Sequence, residues 1–304
     1  HAELENFWYG GTAMPGCVHR LMQGWTLCLG YTPNFHFNTI WFKEEKHDFS
    51  KPPALRFDPQ NIWVKKFEAA YRAVLDLAGK DDFCVGAAWG MPICDLLSMT
   101  MGTESFLLAL IDEPDWMKEA IRIGTEERQK TFDYFANIAR PRHDFWYGHF
   151  GWAPFWAPEP YVTFQSDVSC MLSPAMFDEF IVPEMKQISR GQGIWYHLDG
   201  GDARQHLPTL LSMPEMRVVQ YVPTPNEPVN GMAHLPMYQQ VQKAGKIMYI
   251  EVGDHSHIEG LVKSLDPDLL VLHTWCNSQK EGEEILANVD RWCGRRTGAK
   301  MAKV

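Results

Sequence analysis

A chain of 304 residues that is 45% hydrophobic and 22% charged has the composition of a globular protein with a sizeable core. Its formal net charge of -10 argues against nucleic acid or a strongly anionic substrate as the principal ligand. No apolar run approaches the ~20 residues of a spanning helix, and "HAELENFWYGG" at the start has no basic region followed by an apolar stretch, so neither membrane insertion nor secretion is expected.

In chain order, the apolar "FHFNTIWF" near residues 35–42 is a candidate strand and "KEEKHDFSKPPALRFDP" a surface loop. "NIWVKKFEAAYRAVLDLAG" reads as a helix ending at a glycine. From residue 81 a strand and turn, "DDFCVGAAWG", precede two helical stretches, "PICDLLSMTMGTESFLLALID" and "PDWMKEAIRIGTEERQKTFDYFANIA", each entered near a proline. "HDFWYGHF" is strand-like. After a loop rich in proline and tryptophan, "YVTFQSD" is strand-like again, and "SPAMFDEFIVPEMKQISR" is a helix with Ser173 as cap and Pro174 at its first position. Four more strand and helix pairs follow: "GIWYHLD" with "ARQHLPTLLSM", "MRVVQYV" with "GMAHLPMYQQVQKA", "KIMYIEV" with "SHIEGLVKSL", and "DLLVLHT" with "QKEGEEILANVDRWC". Such regularity calls for a parallel sheet covered by helices. Seven strands from residue 81 and one near residues 35–42 would close an α/β (β/α)8 TIM barrel, and the absence of a G-x-G-x-x-G or P-loop pattern counts against an open nucleotide-binding sheet. One domain over 1–304 is expected, with 1–80 the part least defined by pattern.

In such a barrel, functional groups sit where strands end. Those positions hold Trp89; His149 and Trp152; Asp167; His197 and Asp199; Tyr221; Glu251, Asp254 and His255; then His273, Trp275 and Cys276. In "GIWYHLDGG", side chains alternate across the strand, so Trp195, His197 and Asp199 share one face. Histidine, carboxylate and thiolate are the donors zinc takes, which makes His197, Cys276 and one or two of these carboxylates candidate ligands. Seven scattered cysteines without a CxxC pair fit a reducing, cytoplasmic setting and leave any metal site to assemble from distant segments. The bland readings are a hydrogen-bonded structural histidine, an inert buried thiol, helix caps at Asp202 and Asp254, an ion-pair role for Glu251 and core filling by the tryptophans.

These pieces resemble the uroporphyrinogen decarboxylase superfamily from about residue 81 onward. The resemblance rests on "MPICDLLSMTMGTESFLLALIDEPDWMKEAI", "SDVSCMLSPAMFDEFIVPEMKQI", "YHLDGG" and "LVLHTWCNSQKEGEEILANV". It implies a (β/α)8 barrel. The arginine-rich amino-terminal segment of the porphyrinogen decarboxylases is not seen, since Arg20 and Arg56 stand alone in the first 70 residues. The branch of corrinoid-linked methyltransferases is the nearer match. There, a zinc bound by a His-x-Cys pair and a late cysteine activates a thiol. His197 falls on the histidine and Cys276 on the late cysteine, whereas Asp199 replaces the cysteine of the pair, which hardens the site. The resemblance implies a zinc-dependent methyltransferase, with methylcorrinoid supplied by a separate corrinoid protein because no D-x-H-x-x-G signature is present. A small-molecule methyl donor or acceptor is the other expected partner, and a homodimer the candidate assembly. Asp167, Glu251, His149 and His255 are candidates for proton transfer or support. Trp89, Trp152, Trp156, Trp195, Tyr221 and Trp275 are candidates to line an aromatic pocket for a methyl ether or methylated ammonium group. A metal-independent decarboxylase or lyase, and a non-catalytic corrinoid or small-ligand binding protein, are the alternatives.

Overall fold

The computed structural model describes residues 6–17, 25–37, 39–78, 83–86, 91–139, 146–148 and 155–294. Its Cα positions fall into two compact units, Gly16–Ile194, and His1–Pro15 with Trp195–Val304. The first unit opens with strand β1 (Gly16–Cys17), helix α1 (Trp25–Cys28), strands β2 (Pro33–Phe35) and β3 (Ile40–Phe42), helix α2 (Ile62–Leu77) and strand β4 (Cys84–Val85). The segment expected to give one barrel strand instead folds back on itself. β2 pairs antiparallel with β3, Pro33 opposite Phe42, and the His36 N–H donates to the Thr39 carbonyl at 2.9 Å. Polar residues within that apolar run supply a turn. β4 pairs in parallel with β1, a two-residue strand too short for periodicity to reveal.

Helices α3 (Ile93–Met101), α4 (Thr103–Asp112) and α5 (Pro114–Ala139) follow. All of α3 except Met99 is buried, which is why its sequence is apolar on every side. Gly102, at φ +83°, separates α3 from α4, and the two axes differ by 114°. A side chain there would be strained by the backbone and would meet the Glu44 carboxylate at 3.2 Å. Among the described residues no single helix is long and apolar enough to cross a membrane; α3 and α4 pass that test only together, across this bend. On α5, Met117, Ala120, Ile121, Arg128, Thr131 and Phe135 are buried at helical spacing. Gly124 allows α5 close to α3, since a Cβ on it would stand 2.7 Å from Ile93 Cγ2.

Next come β5 (Trp146–Gly148), β6 (Phe155–Ala157) and β7 (Tyr161–Gln165). β5, read from sequence as a further barrel strand, forms an antiparallel hairpin with β6. Ser173 caps the following helix, accepting from the Met176 N–H at 3.3 Å, with Pro174 first inside it as expected. The helix widens into a π-turn over Phe177–Ile181, where the Val182 N–H reaches back to the Phe177 carbonyl, before α6 (Val182–Ser189). Pro183 has no N–H to continue the α ladder at this point.

From β8 (Gly193–Asp199) the alternation is regular: α7 (Leu207–Ser212), β9 (Met216–Val222), α8 (Leu235–Lys243), β10 (Ile247–Glu251), α9 (Ile258–Ser264), β11 (Leu270–His273) and α10 (Gln279–Cys293). β7 to β11 form a five-stranded parallel sheet in sequential order. The fold is therefore mixed α/β, with βα units through this half as the strand and helix patterns predict. α7 and α8 are each entered through a 3-10 turn ending in a buried histidine and Leu-Pro, His206-Leu207-Pro208 and His234-Leu235-Pro236. Proline at that point costs no helix hydrogen bond.

Candidate functional site

Strand register sets the site. Tyr249 stands opposite Gln220 on β9 and Val271 on β11, and Glu251 stands opposite His273. Because side chains alternate, Gln220, Tyr249, Glu251 and His273 point to one face, and Tyr221, Ile250 and Leu272 to the other. Trp195 and His197 of β8 join the first face. The Trp195 ring meets Tyr249 edge-on at 5.6 Å, and His197 Nδ1 is hydrogen-bonded to the Gln220 amide oxygen. Aromatic contacts continue along the carboxyl ends of the strands, Tyr249 to His273 at 6.0 Å, His273 to Trp275 at 5.4 Å and Trp275 to Phe7 at 6.2 Å. His197, Trp195 and Tyr249 are buried; Trp275 is exposed.

The electrostatics of this face follow from its burial. The Glu251 carboxyl is pushed above the usual carboxylate range by desolvation. Burial also pushes the His273 imidazole down, toward the neutral form. His273 Nδ1 and Gln220 Nε2 are both buried without a hydrogen-bond partner among the described residues. Leaving such groups unpaired is costly. In the bond to Gln220 the amide oxygen accepts and His197 Nδ1 donates.

The remaining predicted residues divide by environment. Asp199 is exposed at the end of β8. The two glycines after it have separate reasons. Gly200 adopts φ +81° while its N–H donates to the Val222 carbonyl at 2.8 Å, and a Cβ on Gly201 would sit 2.9 Å from Glu227 Oε2. Tyr221 lies on the opposite face of the sheet, its hydroxyl donating to the Glu227 carboxylate at 2.8 Å. Arg204 pairs with the same carboxylate at 2.9 Å and the Thr224 N–H donates to it at 2.9 Å, so Tyr221 belongs to a loop-bracing network rather than to the His197 face. His255 ties two loops together: Nε2 stands 3.1 Å from the Trp275 carbonyl and Nδ1 3.2 Å from Glu281. Asp254 caps the turn before α9, accepting from the Ser256 N–H at 2.9 Å, and Asp202 makes no cap bond. Cys276 is half-buried, its thiol raised by burial and by the Glu281 carboxylate, so it stays protonated near neutral pH.

Within the first unit, the Asp167 N–H donates to Asp95 Oδ2 at 3.1 Å and its carboxylate accepts from Gln165 Nε2 at 2.9 Å. Trp156 is partly exposed in β6. Trp89, His149 and Trp152 lie outside the described residues. The donor types at His197, Asp199 and Cys276 suit zinc. Among the described residues, however, no group of three His, Cys, Asp or Glu side chains stands close enough together to hold an ion. No family model matches the chain, and neither a curated protein nor a solved structure matches it.

The sequence reading passed over Gln220, although a lone amide in the apolar strand "MRVVQYV" was its signal. It also passed over a buried charge cluster in the first unit. Glu184 Oε1 accepts from the Ile93 N–H at 2.7 Å and stands 3.5 Å from Arg128, and Asp95 accepts from the Asp167 and Val168 N–H groups. A carboxylate in the wholly buried helix α3 was the available sign.

Proposed function

We propose that the chain is an enzyme acting at the carboxyl-terminal edge of β8–β11, a methyltransferase of the uroporphyrinogen decarboxylase-like type whose parallel strands belong to a (β/α)8 barrel. The observation that carries this reading is the bond between His197 Nδ1 and the Gln220 amide oxygen, which fixes the orientation of the imidazole at the end of β8. Histidines that bind metal are oriented in this way by the partner of their other nitrogen. The resemblance places zinc on His197, with Asp199 and Cys276 as further donors that this structure does not bring together, and zinc when bound would supply Lewis-acid activation of a methyl-accepting thiol or water.

The chain's own residues account for the remainder. Gln220 fixes the ring of His197 through its amide oxygen, and its amide NH2 group offers a bond to a bound acceptor. Glu251, with its carboxyl raised by burial, holds a proton at higher pH than an exposed glutamate and sits in register with a neutral His273. Trp195, Tyr249 and Trp275 give the substrate an aromatic wall. Methylcorrinoid would be presented by a separate corrinoid protein. Glu251 and His273 also favour a second reading, a metal-independent lyase in which Glu251 is the proton donor.

Metal analysis of protein purified without chelator tests the first reading. About one zinc per chain is expected in wild type, lost in His197→Ala and Cys276→Ala, with zinc affinity lowered about 10–100-fold in Gln220→Leu. A wild-type chain that stays empty after zinc is added overturns it. Glu251→Gln then becomes the variant whose turnover decides the lyase reading.

A further inference from the structure

The first unit contains a cavity of about 250 Å³ that none of these residues lines. Its walls include Tyr31, Leu55, Leu97 and Trp116, with Glu45 and His47 as its ionisable side chains other than the tyrosine. The volume is below that of the usual drug-sized site, so a small molecule is the fitting guest.

The polar chemistry of the walls is one-sided. The Trp116 indole N–H is spent on the Lys51 carbonyl at 2.7 Å, which also fixes the ring. The Tyr31 hydroxyl is paired with Thr100, and burial pushes that phenol up to about 12, so it stays neutral. His47 packs its ring against Trp116 at 5.3 Å; its Nε2 is buried without a partner among the described residues, and burial pushes the imidazole toward the neutral form. Glu45 is the one carboxylate among the lining residues, and no lysine or arginine is among them. A carboxylate accepts hydrogen bonds and donates none, and the faces of tryptophan and tyrosine attract cations. The guest that satisfies these walls therefore brings positive charge and N–H donors on a compact apolar body.

We infer that the cavity formed by Tyr31, Glu45, His47, Leu97 and Trp116 is a binding site for a small organic ammonium ion. Its position in Gly16–Ile194 makes it independent of the His197 face, which lies in the other unit.

Calorimetric titration of the full chain with benzylammonium, and with benzyl alcohol as a neutral match in shape, tests the inference. Saturable binding of benzylammonium is expected, at least tenfold tighter than that of the alcohol. Glu45→Gln is expected to weaken the ammonium at least tenfold and leave the alcohol unchanged. That variant keeps the loop anchored, because the bond to α3 is made by the Glu45 backbone N–H, 2.7 Å from the Thr100 carbonyl, and the side chain is exposed. His197→Ala is expected to bind benzylammonium as wild type does, so loss of the zinc reading leaves this one standing. Equal binding of amine and alcohol, no binding of either, or unchanged ammonium affinity in Glu45→Gln overturns it.

Discussion

Two buried polar residues show how much one neighbour decides. Gln220 fixes the orientation of the His197 ring through its amide oxygen. Arg128 does the comparable service for Glu184. Both side chains are almost wholly buried, and the guanidinium offsets the cost of holding a carboxylate away from water. Removing one member of such a pair leaves the other charge uncompensated. Arg128→Met is accordingly expected to destabilise the fold by about 3–5 kcal/mol in urea denaturation, and adding Glu184→Gln to recover part of that loss. If the single variant unfolds at the wild-type urea concentration, the pair carries no such role.

At the scale of elements, the same glutamate explains how α3 begins without a cap of its own. Pro92 precedes the helix and provides no side-chain acceptor. Glu184, at the start of α6, accepts instead from the Ile93 and Cys94 N–H groups, at 2.7 and 3.3 Å. Asp95 then does the same for the 3-10 turn that begins at Asp167, accepting from its N–H and from that of Val168. Carboxylates at helix starts satisfy orphan donors and complement the helix dipole. Glu184→Gln keeps an acceptor but loses the charge, so a cost of about 1–2 kcal/mol is expected. Amide hydrogen exchange should quicken at Ile93 and Cys94 more than at the far end of α3. Uniform exchange along the helix would contradict the capping role. In the second unit, α10 carries a cap of its own: Ser278 accepts from the Glu281 N–H and Glu281 reaches back to the Asn277 N–H.

For the whole molecule, buried titratable groups set the dependence of stability on pH. Burial and then the charge of Glu184 push the Asp95 carboxyl up to about 6 from an ordinary 3.8, although two backbone N–H groups and Arg128 pull the other way. Between those values the folded chain holds a proton that the unfolded chain has released. The contribution of this group is therefore greatest at low pH and declines by up to about 3 kcal/mol as pH rises to about 6. His47 and His273 act in the opposite sense. Burial lowers both, so just below pH 6.5 the unfolded chain binds protons that the folded chain does not, and stability rises with pH there. Urea midpoints measured from about pH 4 to about pH 6 should decline more steeply in wild type than in Asp95→Asn. A wild-type curve that climbs throughout this range would exclude a proton shared by Asp95 and Glu184.

The sequence by itself determined the elements whose signals are local. Apolar strands ending in polar residues, Leu-Pro helix entries and Ser173-Pro174 placed the βα units of the second half, because period and capping depend on neighbours along the chain. It also placed His197 and Glu251 at strand ends, and alternation along the strand put Trp195 with His197. Tertiary structure alone decided what these side chains meet. Register set Glu251 beside His273 and Gln220 beside His197, because pairing between strands is chosen by contacts far apart in sequence. The same reason turned residues 33–42 into a hairpin rather than a barrel strand, gave β4 the two-residue partner β1, and moved Tyr221 to the side of Glu227. Burial, too, is a property of the packed molecule: it raises Glu251 and sets Asp95 among Glu184 and Arg128, and packing brings Glu45 to the wall of a cavity, none of which a linear pattern encodes.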